Sequence, residues 1–388
     1  MVRECINPNY RVPLGERFAT MHQFPKHKRS LLVYKNQDTS TFRYRVYNIC
    51  QALNLSMCWK ATYCFVDEIE TVVKMLEKMD LHLIVVSRVM WSRELEFLFA
   101  FAHRCGIPIV FDVDDLVFDP KYIPLILHTL CKPAEFPLVY DYWFSYIARL
   151  NLTASQCDAA IASNAYLEKK LKESLNKNSY IIPNFMNEHQ LVLSSRLFEE
   201  RRMRASKRFR IGYYPGSPSH QNDFESIISQ VNDLLHETTL IELHVIGFLE
   251  FPSCFNKFLA NGQLIYTPLV DFLNLQREIS IADINIVPLV INDFTNCKSN
   301  LKFFEAAVVG TITCATPIAS YAEHIQDKCS GYLCEQNNWY DTLRTLFEEG
   351  IEESMIIQAR EYCLNNYSPD KVCRLIESVY DNIISECS

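Results

Sequence analysis

Short apolar runs alternate with longer stretches of helical periodicity along most of the chain. Residues 30–34 (SLLVY), 81–87 (LHLIVVS), 107–112 (IPIVFD) and 159–163 (AAIAS) are too short for helices and too uniformly apolar for strands with one wet face, so they predict strands buried on both sides. Between them, residues 42–53, 68–79, 93–105 and 165–174 place apolar side chains three and four apart, which predicts helices. A last short strand over 180–183 precedes the turn-prone Asn184. Alternation of this kind builds a parallel sheet with helices on its faces, and one such domain spans 1–188. Residues 124–152 interrupt it with an aromatic-rich helical insertion.

The text then turns polar and basic, with Arg201, Arg202, Arg204, Lys207, Arg208 and Arg210, and 189–208 reads as a linker. A second alternation follows. Strands are predicted over 209–214 (FRIGYY), 241–247 (IELHVIG), 264–267, 283–290 (DINIVPLV) and 311–315, and helices over 223–236, 270–279 and 299–309, with further helices to the end. The fold class is therefore α/β, two doubly wound Rossmann-like domains facing a central cleft, and chemistry is expected at the carboxyl ends of the strands.

Composition narrows the partners. A chain of 388 residues exceeds what one core usually serves, and 49% hydrophobic with 22% charged residues is globular. A net charge of -8 argues against nucleic acid as the main partner. The 15 cysteines show no C-x-x-C pairs, so they read as reduced thiols of a cytoplasmic protein. Arg3, Glu4 and Arg11 stand where a signal peptide needs its apolar core, and no run approaches about 18 apolar residues. Lys26 to Arg29 and the basic linker leave peripheral contact with an anionic inner membrane face open, against the plainer reading of solvated charge. Nine glycines, none in G-x-G-x-x-G or G-x-x-x-x-G-K-[ST], disfavour simple dinucleotide and P-loop sites.

Three stretches carry candidate chemistry. In 296–317 (NCKSNLKFFEAAVVGTITCATP) Ser299 is placed to cap a helix, and Lys298 and Lys302 flank its positive end, which suits a diphosphate. Glu305 is then placed to accept hydrogen bonds from ribose or sugar hydroxyls. An ordinary capped helix with a solvated Lys–Glu pair fits the same residues. In 210–224 (RIGYYPGSPSHQNDF) the small residues Gly216, Ser217 and Ser219 beside His220 allow a ligand close to the backbone, or form a plain turn capped by Ser219 or Asn222. Asp112, Asp114 and Asp115, in FDVDDLVFD, crowd three acids at a strand end, so at least one needs a raised pKa or a cationic partner. They suit helix capping, a metal, or acceptor orientation, with Asp114 or Asp115 bonding sugar hydroxyls or assisting proton removal. Trp91, Trp143, Tyr140, Tyr142 and Phe144 suit the core, or a sugar-stacking or lipid-facing surface.

The pairing of IGYYPGSPSHQNDF with KSNLKFFEAAVVGTITCATPIASY resembles the carboxy-terminal domain of GT-B fold glycosyltransferases, in particular the large retaining family 4. FRYRVYNICQAL, SRVMW before GIPIVFDVDDLVFD, CDAAIASNAYLEKKL and IIPNF look like the same family, so the resemblance spans most of the chain. It implies transfer of a sugar, with retention and without a metal or other cofactor, from a nucleotide-diphosphate sugar to a glycan, glycolipid or glycoprotein acceptor. The donor would lie on 209–365, with Glu305 on the ribose and Lys298, Ser299, Asn300, Lys302, Gly216, Ser217 and His220 around the diphosphate. The acceptor would lie on the first domain near Asp112, Arg43 and Arg45, and a helix over 366–388 would return to that domain. Asp114, Asp115, Lys302 and Glu305 are the catalytic candidates.

The chain departs from the family's pattern at Cys297, where many members carry a first glutamate, and at Ser217, His220 and Asn222, where an Arg and a Lys are common. Residues 39–45 replace a glycine-rich first loop. The alternative is a non-catalytic sugar- or nucleotide-binding partner subunit of the same fold; an epimerase is a third reading. Oligomeric state is left open.

Overall fold

The computed structural model describes residues 12–24, 26–133, 135–201 and 208–387; Arg3, Glu4, Arg11, Arg202, Arg204 and Lys207 lie outside them. Two six-stranded sheets, parallel throughout, form two lobes. The first comprises β1 (Lys28–Tyr34), β2 (Trp59–Phe65), β3 (Leu83–Ser87), β4 (Ile109–Val113), β5 (Ala159–Ala162) and β6 (Ser179–Ile181) in the order β2-β1-β3-β4-β5-β6. The second comprises β7 (Phe209–Tyr213), β8 (Ile241–Ile246), β9 (Leu264–Thr267), β10 (Ile284–Val287), β11 (Ile312–Ala315) and β12 (Tyr332–Leu333) in the order β12-β11-β10-β7-β8-β9. The order reverses between β1 and β3 in one lobe and between β7 and β10 in the other. At such switch points the loops diverge and leave a crevice beyond the strand ends.

The apolar runs became strands for the expected reason. Val85 and Val86 on β3 and Val110 and Phe111 on β4 are sealed from solvent, since helices cover both faces. Two strands were missed. In β2 (WKATYCF) Lys60 and Thr62 break the apolar run, yet all seven residues are buried. The Lys60 ammonium donates to the carbonyls of Asn54 and Ser56 at 2.9 and 2.8 Å, and the Thr62 hydroxyl to that of Arg17 at 2.8 Å. β12, at two residues, carries no periodicity to read.

The linker expected over 189–208 starts as a helix, Glu188–Arg201, which buries Gln190, Ser194, Leu197 and Phe198. Polar Gln190 and Ser194 occupy half of that buried face, which is why it reads as solvated. Arg201 donates to the Ala282 carbonyl at 2.9 Å, Arg208 to that of Gly262 at 2.8 Å, and Arg210 pairs with Glu242. These three cations are tied to the second lobe and are not a free basic patch.

The Pro369–Cys387 helix crosses back to the first lobe, burying Val372, Ile376, Val379, Tyr380 and Ile383. The Tyr380 ring meets Trp59 edge-on at 5.4 Å, and Asp381 accepts from the Trp59 indole at 3.0 Å and from Lys28 at 2.8 Å. Among the described residues no helix is long and apolar enough to cross a membrane.

Candidate active site between the lobes

On the second lobe, β7 runs into a loop that carries Gly216, Ser217 and His220. Asp223, 3% exposed, accepts from the His220 ring at Nδ1 (2.8 Å) with one oxygen and from the backbone N–H of Val290 (3.0 Å) with the other. One carboxylate thus ties together the loops on either side of the switch point. Gly247, just after β8, supports the same loop from behind. Its φ is +129°, and a Cβ there would lie 1.9 Å from the Pro215 carbonyl oxygen. Gly247→Ala is therefore expected to destabilise the protein by about 2–3 kcal/mol, read by denaturant unfolding.

After β10 come Lys298, Ser299 and Asn300, then the seven-residue helix Leu301–Ala307. Ser299 does not cap it. Its hydroxyl instead accepts from Asn184 Nδ2 at 2.9 Å, and Asn300 Nδ2 donates to the Tyr367 hydroxyl at 2.6 Å. Both side chains are thus engaged in holding the chain around the cleft. Lys302 has no ion pair among the described residues; its ammonium sits 5.7 Å from the Tyr213 ring centroid, and its pKa is lowered to about 8 by burial, with Lys298 adding to the fall. Lys298 lies over the Phe294 ring at 4.8 Å and 3.9 Å from Asp115 of the first lobe. Glu305 is buried and accepts from the hydroxyl of Tyr44, which also comes from the first lobe; burial raises its pKa, against the pull of that bond, Arg43 and Lys302. Its second oxygen, Oε2, has no hydrogen-bond partner among the described residues. Cys297 is sealed, and its carbonyl accepts from Asn164 Nδ2 at 2.8 Å.

On the first lobe the key cation is Arg88, immediately after β3. Its φ of +49° is unusual for a non-glycine residue, and it swings the guanidinium over the switch point. Nη1 donates to Asp114 at 3.2 Å and to Asp115 at 2.9 Å, and Nε donates to the Tyr146 hydroxyl at 3.1 Å. Thr41 donates to the other oxygen of Asp114 at 2.8 Å. Burial pushes both carboxyls up. It wins at Asp114, whose pKa is raised, whereas Lys298 and Arg88 together hold Asp115 below the usual range.

Two acceptor candidates fall elsewhere. Arg45 and Asp112 are both sealed from solvent and face one another, with Nε 3.1 Å from Oδ1. Arg45 also donates to the Ile182 carbonyl at 2.7 Å, and Ser87 to Asp112 at 2.9 Å. With their donors and acceptors consumed inside the lobe, neither presents an atom to the cleft. Arg43 lies between the lobes, its guanidinium carbon 4.0 Å above the Phe272 ring and within electrostatic reach of Glu305. The three aspartates therefore do not converge: Asp112 turns inward to Arg45, and Asp114 and Asp115 turn to Arg88.

Arg88, Tyr44, Thr41 and Asp223 were missed as site residues. Arg88 was findable, because it follows a predicted strand directly, as the aspartates do. Tyr44 sits within a five-residue π-helical segment, Arg43–Tyr47, that the periodicity of 42–53 does not reveal. The aromatic residues of the Pro137–Gln156 helix are exposed at Tyr140, Tyr142 and Phe144, as is Leu138, while Trp91 and Trp143 are half-buried.

No family model and no curated protein matches this chain. Solved structures do. HepE of Anabaena in complex with UDP superposes with a TM-score of 0.60 at 11% identity, covering 92% of this chain and 100% of that one. A glycosyltransferase from Rickettsia africae gives 0.62 at 11% identity over 92% and 99% of the two chains. Sucrose-phosphate synthase from Thermosynechococcus elongatus gives 0.62 at 13% identity over 93% and 100%. Identities this low speak for the backbone alone, and on that ground, with its two facing parallel sheets, the chain has the GT-B fold of these glycosyltransferases.

Proposed function

We propose that the chain is a glycosyltransferase that moves a sugar from a nucleoside-diphosphate sugar to an acceptor hydroxyl. The observation that carries this reading is the arrangement of charge across the cleft. Lys298 and Lys302 stand at the second lobe's switch point, and Asp114 and Asp115, with Arg88, at the first lobe's. The ammonium groups fit a diphosphate, and the free oxygen of Glu305 fits a ribose hydroxyl. HepE, which shares the fold, was solved with UDP bound. Gly216, Ser217 and His220 line the donor loop.

In the transfer step the bond between the sugar's anomeric carbon and the β-phosphate oxygen breaks, and its electron pair goes to that oxygen. Lys298 and Lys302 neutralise the charge that develops there, so no separate metal or cofactor is assigned. The acceptor oxygen bonds to the anomeric carbon from the same face, giving retention as in family 4, and its proton passes to the departing phosphate. Asp114 and Asp115, steered by Arg88 and Thr41, orient the acceptor. The acceptor class is a glycan, glycolipid or glycoprotein. The exposed Leu138, Tyr142 and Phe144 favour a lipid-linked one and peripheral contact with a membrane, because Tyr146 of the same helix touches Arg88.

Calorimetry with UDP, GDP and ADP tests the reading: heat in the parent and none in Lys302→Ala supports it, and a scaffold gives no heat in either. Product analysis with and without acceptor separates transfer from epimerisation. The pH dependence follows from Lys302, which carries its charge below about 8. Loss of the Lys302 charge is expected to weaken diphosphate affinity by up to about tenfold per unit as the pH rises through 8, on top of any proton uptake by other groups. Titrations from pH 7 to about 9.5 check this; a flat profile contradicts it.

A further inference from the structure

We propose that the Asp223–His220 pair is a switchable cation for the donor's diphosphate: His220 is neutral in the empty cleft, takes one proton from solvent onto Nε2 as the diphosphate arrives, and gives it back when the nucleoside diphosphate leaves. This rests on the reading of the cleft as a donor site.

The geometry fixes the tautomer. Asp223 is an acceptor, held by the Val290 N–H at 3.0 Å, so the 2.8 Å contact from His220 Nδ1 requires the proton to sit on Nδ1. In the neutral ring Nε2 is then a bare lone pair. It has no partner among the described residues and is not among the buried unpaired atoms, so it stays in contact with the cleft. The ring is faced by Asp223 on its own segment, by Lys298 and Lys302 from the segment after β10, and by Asp115 from the first lobe. The Tyr213 hydroxyl donates to the His220 backbone carbonyl at 3.1 Å, which fixes the residue but leaves the ring free.

Burial and Lys302 hold the imidazole down to about 4, with Asp223 pulling the other way. A bare lone pair beside phosphate oxygens is repulsive, so a neutral His220 opposes the ligand. A diphosphate between the two ammonium groups cancels their repulsion toward a third cation and adds negative charge of its own. The ring then gains a proton and donates Nε2–H to a phosphate oxygen, a charge-assisted bond. Asp223 is a positioning residue: it sets which nitrogen carries the first proton.

The test is proton-linked calorimetry at pH 7, where Lys302 is already charged. UDP, or whichever of UDP, GDP and ADP binds, is titrated in two buffers of different ionisation enthalpy into the parent, His220→Gln and His220→Arg. The parent is expected to take up about one proton more per diphosphate than either variant, since the ligand's own ionisation is common to all three. His220→Arg is expected to bind at least as tightly as the parent, because its charge is permanent and no proton must be gained, and His220→Gln to lose roughly tenfold. Asp223→Asn is expected to diminish the uptake. Equal uptake in the parent and both variants overturns the proposal and leaves the donor site standing. Absence of binding by any of the three nucleotides to the parent takes down both.

Discussion

Lys302→Ala is expected to lower transferase kcat/KM by about 10²–10³-fold, with the fold intact. The size follows from where the ammonium stands. It is half-buried and without an ion pair among the described residues, so little inside the protein screens it from a ligand. Its backbone is fixed by Asn285 Nδ2, which donates to the Lys302 carbonyl at 3.1 Å, so the side chain enters the cleft from a set position. Removing it deletes charge stabilisation where the phosphate's negative charge grows, in a site that water screens poorly. Initial rates with the nucleotide-sugar that binds the parent, alongside circular dichroism of both proteins, measure the effect. A loss of less than about fivefold shows that the leaving group does not sit at Lys302.

Arg45→Met is expected to destabilise the first lobe by about 3–5 kcal/mol. The substitution leaves Asp112 sealed in the lobe, keeping only Ser87 of its two charged or hydroxylic partners. It also strips the Ile182 carbonyl of its donor, which loosens the segment joining β6 to the second lobe. The double variant Arg45→Met with Asp112→Asn is expected to recover part of the loss, because the neutral amide costs less to bury unpaired. Denaturant unfolding of the two variants settles the matter. A cost below about 1 kcal/mol for the single change indicates that water reaches the pair.

The fold was legible because a strand buried on both faces writes itself as an uninterrupted apolar run, as in 83–87 and 109–113. It failed to show where buried polar side chains make their own hydrogen bonds. Lys60 and Thr62 hid β2, and Gln190 and Ser194 hid the Glu188–Arg201 helix. The cleft was partly legible. Asp114 and Asp115 were singled out at a strand end, His220 in the turn after one, and Lys298, Lys302 and Glu305 at and along a predicted helix, and the structure brings them to one cleft. Sequence proximity misled at Asp112 and Arg45: Asp112 is still within β4 and faces Arg45 inside the lobe, whereas Asp114 and Asp115 lie past the strand end and turn to Arg88. Tyr44 had no local signature, because its partner Glu305 is 261 positions away. Pairings of that kind exist only once the two lobes meet.

The Pro369–Cys387 helix has a consequence for how the protein is made. Trp59, Lys28 and the helix Asn48–Leu55 are translated early, but the surface they share is roofed by Tyr380, Asp381 and their neighbours near the end of the sequence. During synthesis on the ribosome the first lobe must therefore wait, with an apolar flank uncovered, while the whole second lobe is added. Nascent chains halted before that helix are expected to offer this flank to chaperones and to aggregation, and an exchange of lobes with a relative is expected to need the terminal helix to travel with the lobe it roofs.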